Sequence, residues 1–318
     1  MRYITEATLQ QQDKLGAALA TNLGRHLRLV ADYTGARNCF EKALAVREET
    51  LGPNQPNTAE SLNNLGVLLQ AMGNLDGARP LYERALSIRE KSLGPVHSDT
   101  AESLNNLGYL LQTMANLVEA KNYYLKALAI REMVLGADHP ITAQSLNNLG
   151  YLLRMMGDLE ATQAHTERAL VINRKALGPD HPQTALTLHN LGGLHQACGN
   201  IAEARSAYEQ ALAIRKRSLG PNHPLTANTL SMLGEVLQVA GSSDEAKQAH
   251  ERALAIRQSV LGTEHPDTAE SYRNLGLLLK GMDQIDAGTA YLEKALSIYE
   301  VKLGPNHPDT QFVRKSLE

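Results

Sequence analysis

Histidine has the widest chemical range of the side chains in this sequence, and its distribution is regular. Of the eleven histidines, six recur at a constant interval of 42 residues: His97, His139, His181, His223, His265 and His307. Neutral imidazole is a common metal ligand and a general base near neutral pH, so such a series invites a metal or acid–base reading. Spacing argues against both. Zinc–nitrogen bonds are about 2 Å long and need converging ligands. Units stacked side by side hold equivalent residues roughly 10 Å apart, near the distance between packed helices. His189 and His195 are six residues apart, off the i, i+4 face that a helical metal pair uses. No GxxxxGK[ST], GxSxG, HExxH or CxxC run occurs. The sequence therefore predicts no catalytic residue, no metal and no cofactor, and it assigns the six regular histidines to helix capping or turn packing.

Composition narrows the remaining classes. A net charge of −3 lacks the basic excess of a general nucleic-acid binder. Cys39 and Cys198 lie almost four repeats apart and are not needed as a staple, which fits a reducing compartment. No apolar run approaches the ~20 residues of a membrane span, and the opening MRYITEAT has no signal-peptide core. A soluble cytoplasmic chain with neither nucleic-acid nor membrane partners is expected. With no Trp and two Phe, its core must be built from Leu, Ala and a few Tyr.

The elements that position these residues follow one period. Residues 51–92 and 93–134 are identical at 25 positions, and the frame continues through 135–176, 177–218, 219–260 and 261–302. A weaker copy fills about 9–50, and 303–318 begins an eighth unit. Within a unit, Leu62, Leu65, Leu68 and Leu69 mark one face of a first helix, and Leu81, Ala85, Leu86 and Ile88 mark a second. Met-Gly-Asn between them signals a turn, Leu-Gly-Pro is a stop, and a Pro such as Pro140 suits the first turn of the next helix. Gly24, Gly66, Gly108, Gly150, Gly192, Gly234 and Gly276 sit mid-helix, where Gly costs ~1 kcal/mol relative to Ala. Close approach of the second helix, opposite Ala78 and Ala85 or their equivalents, is the expected reason.

Leu65-Gly66 followed by Ala78, Tyr82 and Ala85 has the spacing of a tetratricopeptide repeat. With LNNL, ERAL-x-IRE, LGPxHPxT and the 42-residue period, the chain resembles the repeat domain of kinesin light chain and its bacterial relatives. The resemblance covers about residues 9–310. It implies an all-α, tetratricopeptide-repeat superhelical solenoid of seven helix pairs plus a C-terminal capping helix, forming a single domain over 1–318. The family pattern often carries Ala where Gly66 stands. The heptad coiled coil of kinesin light chains has no counterpart here, so a motor subunit is not expected.

By the same resemblance the first helices line a concave groove, and the residue before each Leu-Gly faces it. That position reads Asn22, Asn64, Asn106, Asn148, Asn190, Met232 and Asn274. An amide both donates and accepts, so it can grip a peptide backbone whatever the ligand sequence; equally, it can bond to a neighbouring helix and set the stacking angle. One turn later Tyr109 and Tyr151 offer aromatic surface, and Arg154 adds a positive charge. Asn22, Asn64, Asn106, Asn148, Asn190, Tyr109, Tyr151 and Arg154 are the candidate peptide-binding residues. The expected function is a non-catalytic protein–protein interaction scaffold for an extended peptide, acidic with an apolar anchor. The chain is expected to be a monomer with at most weak self-association. The alternative is a C-terminal sensor or oligomerisation segment of a larger signalling ATPase.

Overall fold

The computed structural model describes the backbone of residues 2–30 and 32–318, and side chains from Lys14 onward except Leu29 and Ala31. The expected start of the first repeat near residue 9 lies among side chains outside that description. Among the described residues there are fifteen helices and no strand. They are α1 (Arg2–Leu29), α2 (Tyr33–Thr50), α3 (Pro56–Ala71), α4 (Leu75–Ser92), α5 (Ser98–Thr113), α6 (Leu117–Leu135), α7 (Pro140–Met155), α8 (Leu159–Ala176), α9 (Pro182–Ala197), α10 (Ile201–Ser218), α11 (Pro224–Val239), α12 (Ser243–Leu261), α13 (Pro266–Gly281), α14 (Ile285–Lys302) and α15 (Pro308–Leu317). This is the seven-pair, one-cap arrangement that the period predicts.

Helix starts and stops have local causes. The regular histidines are N-caps: Nδ1 of His97, His139, His181, His223, His265 and His307 accepts from the backbone N–H two residues on, at 3.1–3.2 Å. Each bond satisfies one of the donors that a helix start leaves orphaned. The sharp turn inside a pair needs a left-handed residue, which Gly73, Gly157, Gly199 and Gly241 supply. Ala115 and Asp283 hold the same place at φ 60° and 59°, where a Cβ is strained.

The helices form two compact units, Met1–Gly157 and Asp158–Glu318. In the first, α1 packs on α2, α3 on α4 and α5 on α6; first helices also approach one another, α1 to α3, α3 to α5 and α5 to α7. The second behaves alike, with α9 near α11 and α11 near α13. First helices therefore form one layer of each unit and second helices the other. Ala43, Ala85 and Ala127 in one unit, and Ala169, Ala211, Ala253 and Ala295 in the other, are buried.

Several mid-helix glycines face a ring of the second helix and not the expected alanines, whereas a Cβ on Gly276 would meet the Gly288 carbonyl, at the place of Ala78, at 2.9 Å. A Cβ on Gly66 would lie 2.8 Å from the Tyr82 ring, on Gly108 2.8 Å from Tyr124, on Gly192 2.8 Å from Tyr208, and on Gly24 2.7 Å from Phe40. The glycine makes room for a large ring from the second helix, which is how a chain without Trp fills its core.

Inter-repeat contact has its own device. The buried guanidinium of Arg89, at the end of α4, donates to the carbonyl of Asp99 (2.7 Å) and the hydroxyl of Ser103 (2.9 Å) on α5. Arg47, Arg131, Arg215 and Arg257 make the same pair of bonds ten and fourteen residues on, and Asn173 substitutes in the fourth repeat. Burial lowers the Arg215 pKa to about 10.

Candidate functional site: the layer of first helices

The paired asparagines of the LNNL motif divide their roles. The first of each pair in the first unit, Asn63, Asn105 and Asn147, is buried, and Asn63 Nδ2 donates to Ser103 of the next repeat at 3.3 Å. The second of each pair, Asn64, Asn106 and Asn148, is half-buried. A one-residue step rotates a helical side chain by about 100°, and this takes the second asparagine from the helix interface to the edge of the layer.

The second asparagines are engaged to different degrees. Asn148 Nδ2 donates to Asn105 Oδ1 on the neighbouring helix at 2.9 Å. Asn64 Oδ1 accepts a long bond of 3.4 Å from Arg25, while its buried Nδ2 has no partner among the described residues. Asn106 borders a cavity of about 390 Å³ with Asn105, Glu102 and Gln144. Asn22 is exposed and Asn190, in the second unit, is half-buried. Asn274 is buried and bonded to Ser231 and Glu235. The stacking role is thus visible at Asn148 and Asn274, while Asn64 keeps a buried, unused donor and a weakly held acceptor.

Aromatic surface stands beside these amides. Tyr109 on α5 is 54% exposed and Tyr151 on α7 is 40% exposed. The Arg154 guanidinium lies over the Tyr151 ring at 5.2 Å from its centroid, a cation–π contact. Charge changes sign along this parallel helix pair. Asp99 and Glu102 lie in the first turns of α5, whereas Arg154 lies in the last turn of α7.

The glutamines one turn beyond the tyrosine positions serve the core. Gln70, Gln112 and Gln196 accept the hydroxyls of Tyr82, Tyr124 and Tyr208 at 3.2 Å. Spacing alone does not reveal this tether. The recurring Arg of ERAL-x-IRE was also missed; its 42-residue recurrence was the available signal. Among the described residues, no group of three His, Cys, Asp or Glu side chains could hold a metal ion, and no helix is long and apolar enough to cross a membrane.

Comparison with known proteins agrees with this architecture. The tetratricopeptide repeat family matches residues 16–91, 60–133, 99–170, 147–216, 184–259 and 230–300. No curated protein sequence matches the chain. Among solved structures, BtubC (BKLC) from P. vanneervenii is 22% identical, with a TM-score of 0.57 over 74% of this chain and 92% of its own. A kinesin light chain candidate of Podosopora anserina with nearly identical TPR-like repeats is 25% identical, with a TM-score of 0.54 over 64% and 97%. The apo form of RapI is 16% identical, with a TM-score of 0.67 over 89% and 97%. The chain belongs to the tetratricopeptide repeat family, its solved structural neighbours include a kinesin light chain-like repeat protein, and its repeats point to a protein–protein interaction scaffold.

Proposed function

We propose that the first unit binds an extended peptide across α3, α5 and α7, with its apolar anchor on Tyr109 and Tyr151. The observation that carries this reading is the pair of large aromatic side chains left uncovered on adjacent helices of one layer, 54% and 40% exposed. Tyrosines of this kind are enriched where proteins meet, because a rigid ring with a polar tip gives much contact area at low entropic cost. Arg154 supplies a cation for an acidic residue beside the anchor, and it lies at the far end of the helix pair from Asp99 and Glu102. A peptide with its acidic part toward the helix C-termini suits that polarity. Asn64 and Asn106 grip its backbone, and Asn148 contributes its remaining oxygen while its nitrogen holds Asn105. Asn22 extends the series as a weaker contact. The chain acts as a non-catalytic adaptor.

Panning a random peptide library on the wild-type chain and on a Tyr109→Ser/Tyr151→Ser variant tests this. Wild type should enrich peptides that pair an apolar anchor with acidic residues. The double variant should bind those peptides at least about tenfold more weakly, since an exposed aromatic anchor lost from an interface costs over 1 kcal/mol, with an unchanged melt. Absence of enrichment, or equal affinity for both proteins, overturns the reading.

A further inference from the structure

The structure assigns a second recognition pocket to the C-terminal unit: a cavity bordered by Glu235, His250, Leu277 and Phe312 that takes the arginine side chain of a bound polypeptide. Its volume is about 580 Å³, within the range of ligand sites. It is bordered by helices α11, α12, α13 and α15. None of its residues belongs to the aromatic surface of α5 and α7, so it stands independently of the reading above.

One residue exchange distinguishes this repeat. In the tyrosine repeats a hydroxyl crosses from the second helix to a glutamine of the first, as Tyr208 does to Gln196. His250 holds that place in the sixth repeat, packed against Gly234 as Tyr208 is against Gly192. Its shorter ring does not reach Gln238. His250 is 1% exposed, and both ring nitrogens are buried without a hydrogen-bond partner. A buried imidazole has one N–H and one lone pair to satisfy, and leaving them unmade is costly. The ring borders the cavity, so a ligand group that enters lies next to the imidazole.

The charges around the cavity select the ligand. Arg273, which also borders the cavity, is paired there with Asp309 at 2.9 Å, and outside the lining Arg257 lies 3.6 Å from Glu270. Glu235 forms no ion pair among the described residues; it accepts only from the amides of Gln196 (3.4 Å) and Asn274 (3.3 Å). A partly buried carboxylate held by two long neutral bonds calls for a cation. Leu277 and the half-exposed Phe312 form an apolar wall. A guanidinium offers donors in a flat fork, no acceptor, and a face that stacks on an aromatic ring, whereas an ammonium is compact and strongly hydrated. Glu235, the imidazole lone pair and the Phe312 ring together match the guanidinium.

Calorimetric titration of the full chain with acetyl-Ala-Arg-Ala-amide, and with the same peptide carrying citrulline, tests the assignment. Citrulline keeps the shape and removes the charge. The arginine peptide should bind about tenfold tighter or better, as a charge-assisted bond exceeds a neutral one. Glu235→Gln should abolish that difference. His250→Tyr, which rebuilds the tyrosine–glutamine bridge of the other repeats, should close the pocket and weaken binding at least tenfold without lowering the melting midpoint. Equal binding of the two peptides, no binding of either at millimolar concentration, or undiminished discrimination in Glu235→Gln overturns the proposal. A lysine peptide that binds as tightly as the arginine one overturns the choice of guanidinium.

Discussion

The ring of Tyr82 lies so close to the backbone of Gly66 that a Cβ at position 66 would sit 2.8 Å from Tyr82 Cε1 and 3.0 Å from Cδ1 and Cζ. The glycine is therefore a socket for the ring, and the hydroxyl at the other end is tethered to Gln70. Gly66→Ala adds helix propensity of ~1 kcal/mol but overpacks the socket at a cost of about 1–3 kcal/mol. Net destabilisation of about 1 kcal/mol is expected by urea unfolding. In a Tyr82→Ala background the same change should be neutral or stabilising. An identical effect of Gly66→Ala in both backgrounds would show that the ring is not what the glycine accommodates.

The arginine staples give a second test. Arg89 Nη1 holds the Asp99 carbonyl and the Ser103 hydroxyl, and Glu102 lies 3.1 Å from the same atom. Arg89→Met keeps much of the buried stem and strands those acceptors, at about 2–3 kcal/mol for lost charge-assisted bonds. Because repeats contact mainly their neighbours, hydrogen exchange should accelerate in α4 and α5 before α1. Acceleration spread evenly along the first unit would contradict a local staple.

Much of this architecture was legible because its causes are local. The 42-residue frame, the Pro at helix starts and the capping histidines all act within one or two turns, so residue type and spacing reveal them. The LNNL motif was legible only in part. Both Asn63 and Asn64 suit a helix edge, and which of them enters the interface depends on the crossing of α3 and α5. Arg89 was opaque because its partners lie ten and fourteen residues away across a turn. The spacing of Gly66 implies a close approach, but its partner is the Tyr82 ring and not Ala78 or Ala85, because side-chain volume decides which group fills the space. His250 stands 42 residues after Tyr208, but that its imidazole is left without a hydrogen bond shows only in the packed structure.

The turn at Ala115 predicts a gain in stability. Ala115 adopts φ 60° where four other repeats place Gly, and an L-residue with a Cβ pays roughly 1–2 kcal/mol there. Ala115→Gly relieves that strain, while the glycine's greater unfolded-state freedom returns about 0.4–1 kcal/mol. A net stabilisation of about 0.5–1 kcal/mol is expected in urea. The same exchange at Asp283, φ 59°, should gain less, since Asp tolerates this region better than Ala. A loss of stability in Ala115→Gly would mean that the turn is not strained in solution.

His250 makes the second unit sensitive to acid. Burial first, and the charge of Arg257 second, bring its pKa from the ordinary 6.5 down to about 4. On acidification the unfolded chain takes up this proton near pH 6.5 and the folded chain only near pH 4. The unfolded state therefore binds more protons between those values, and folding stability falls as pH falls through that window. Above it the contribution is complete; below about pH 4 it has gone. The shift corresponds to about 3 kcal/mol, an upper bound if the unit loosens before it unfolds. His250→Tyr removes the titrating group while the surrounding carboxylates and the capping histidines remain in both proteins. Urea unfolding at pH 7.5, 6 and 5 should therefore show wild type losing stability more steeply than the variant, with the two curves diverging below pH 6.5. Parallel curves would mean that His250 is solvated in the folded chain, and would remove the buried imidazole from the pocket as well.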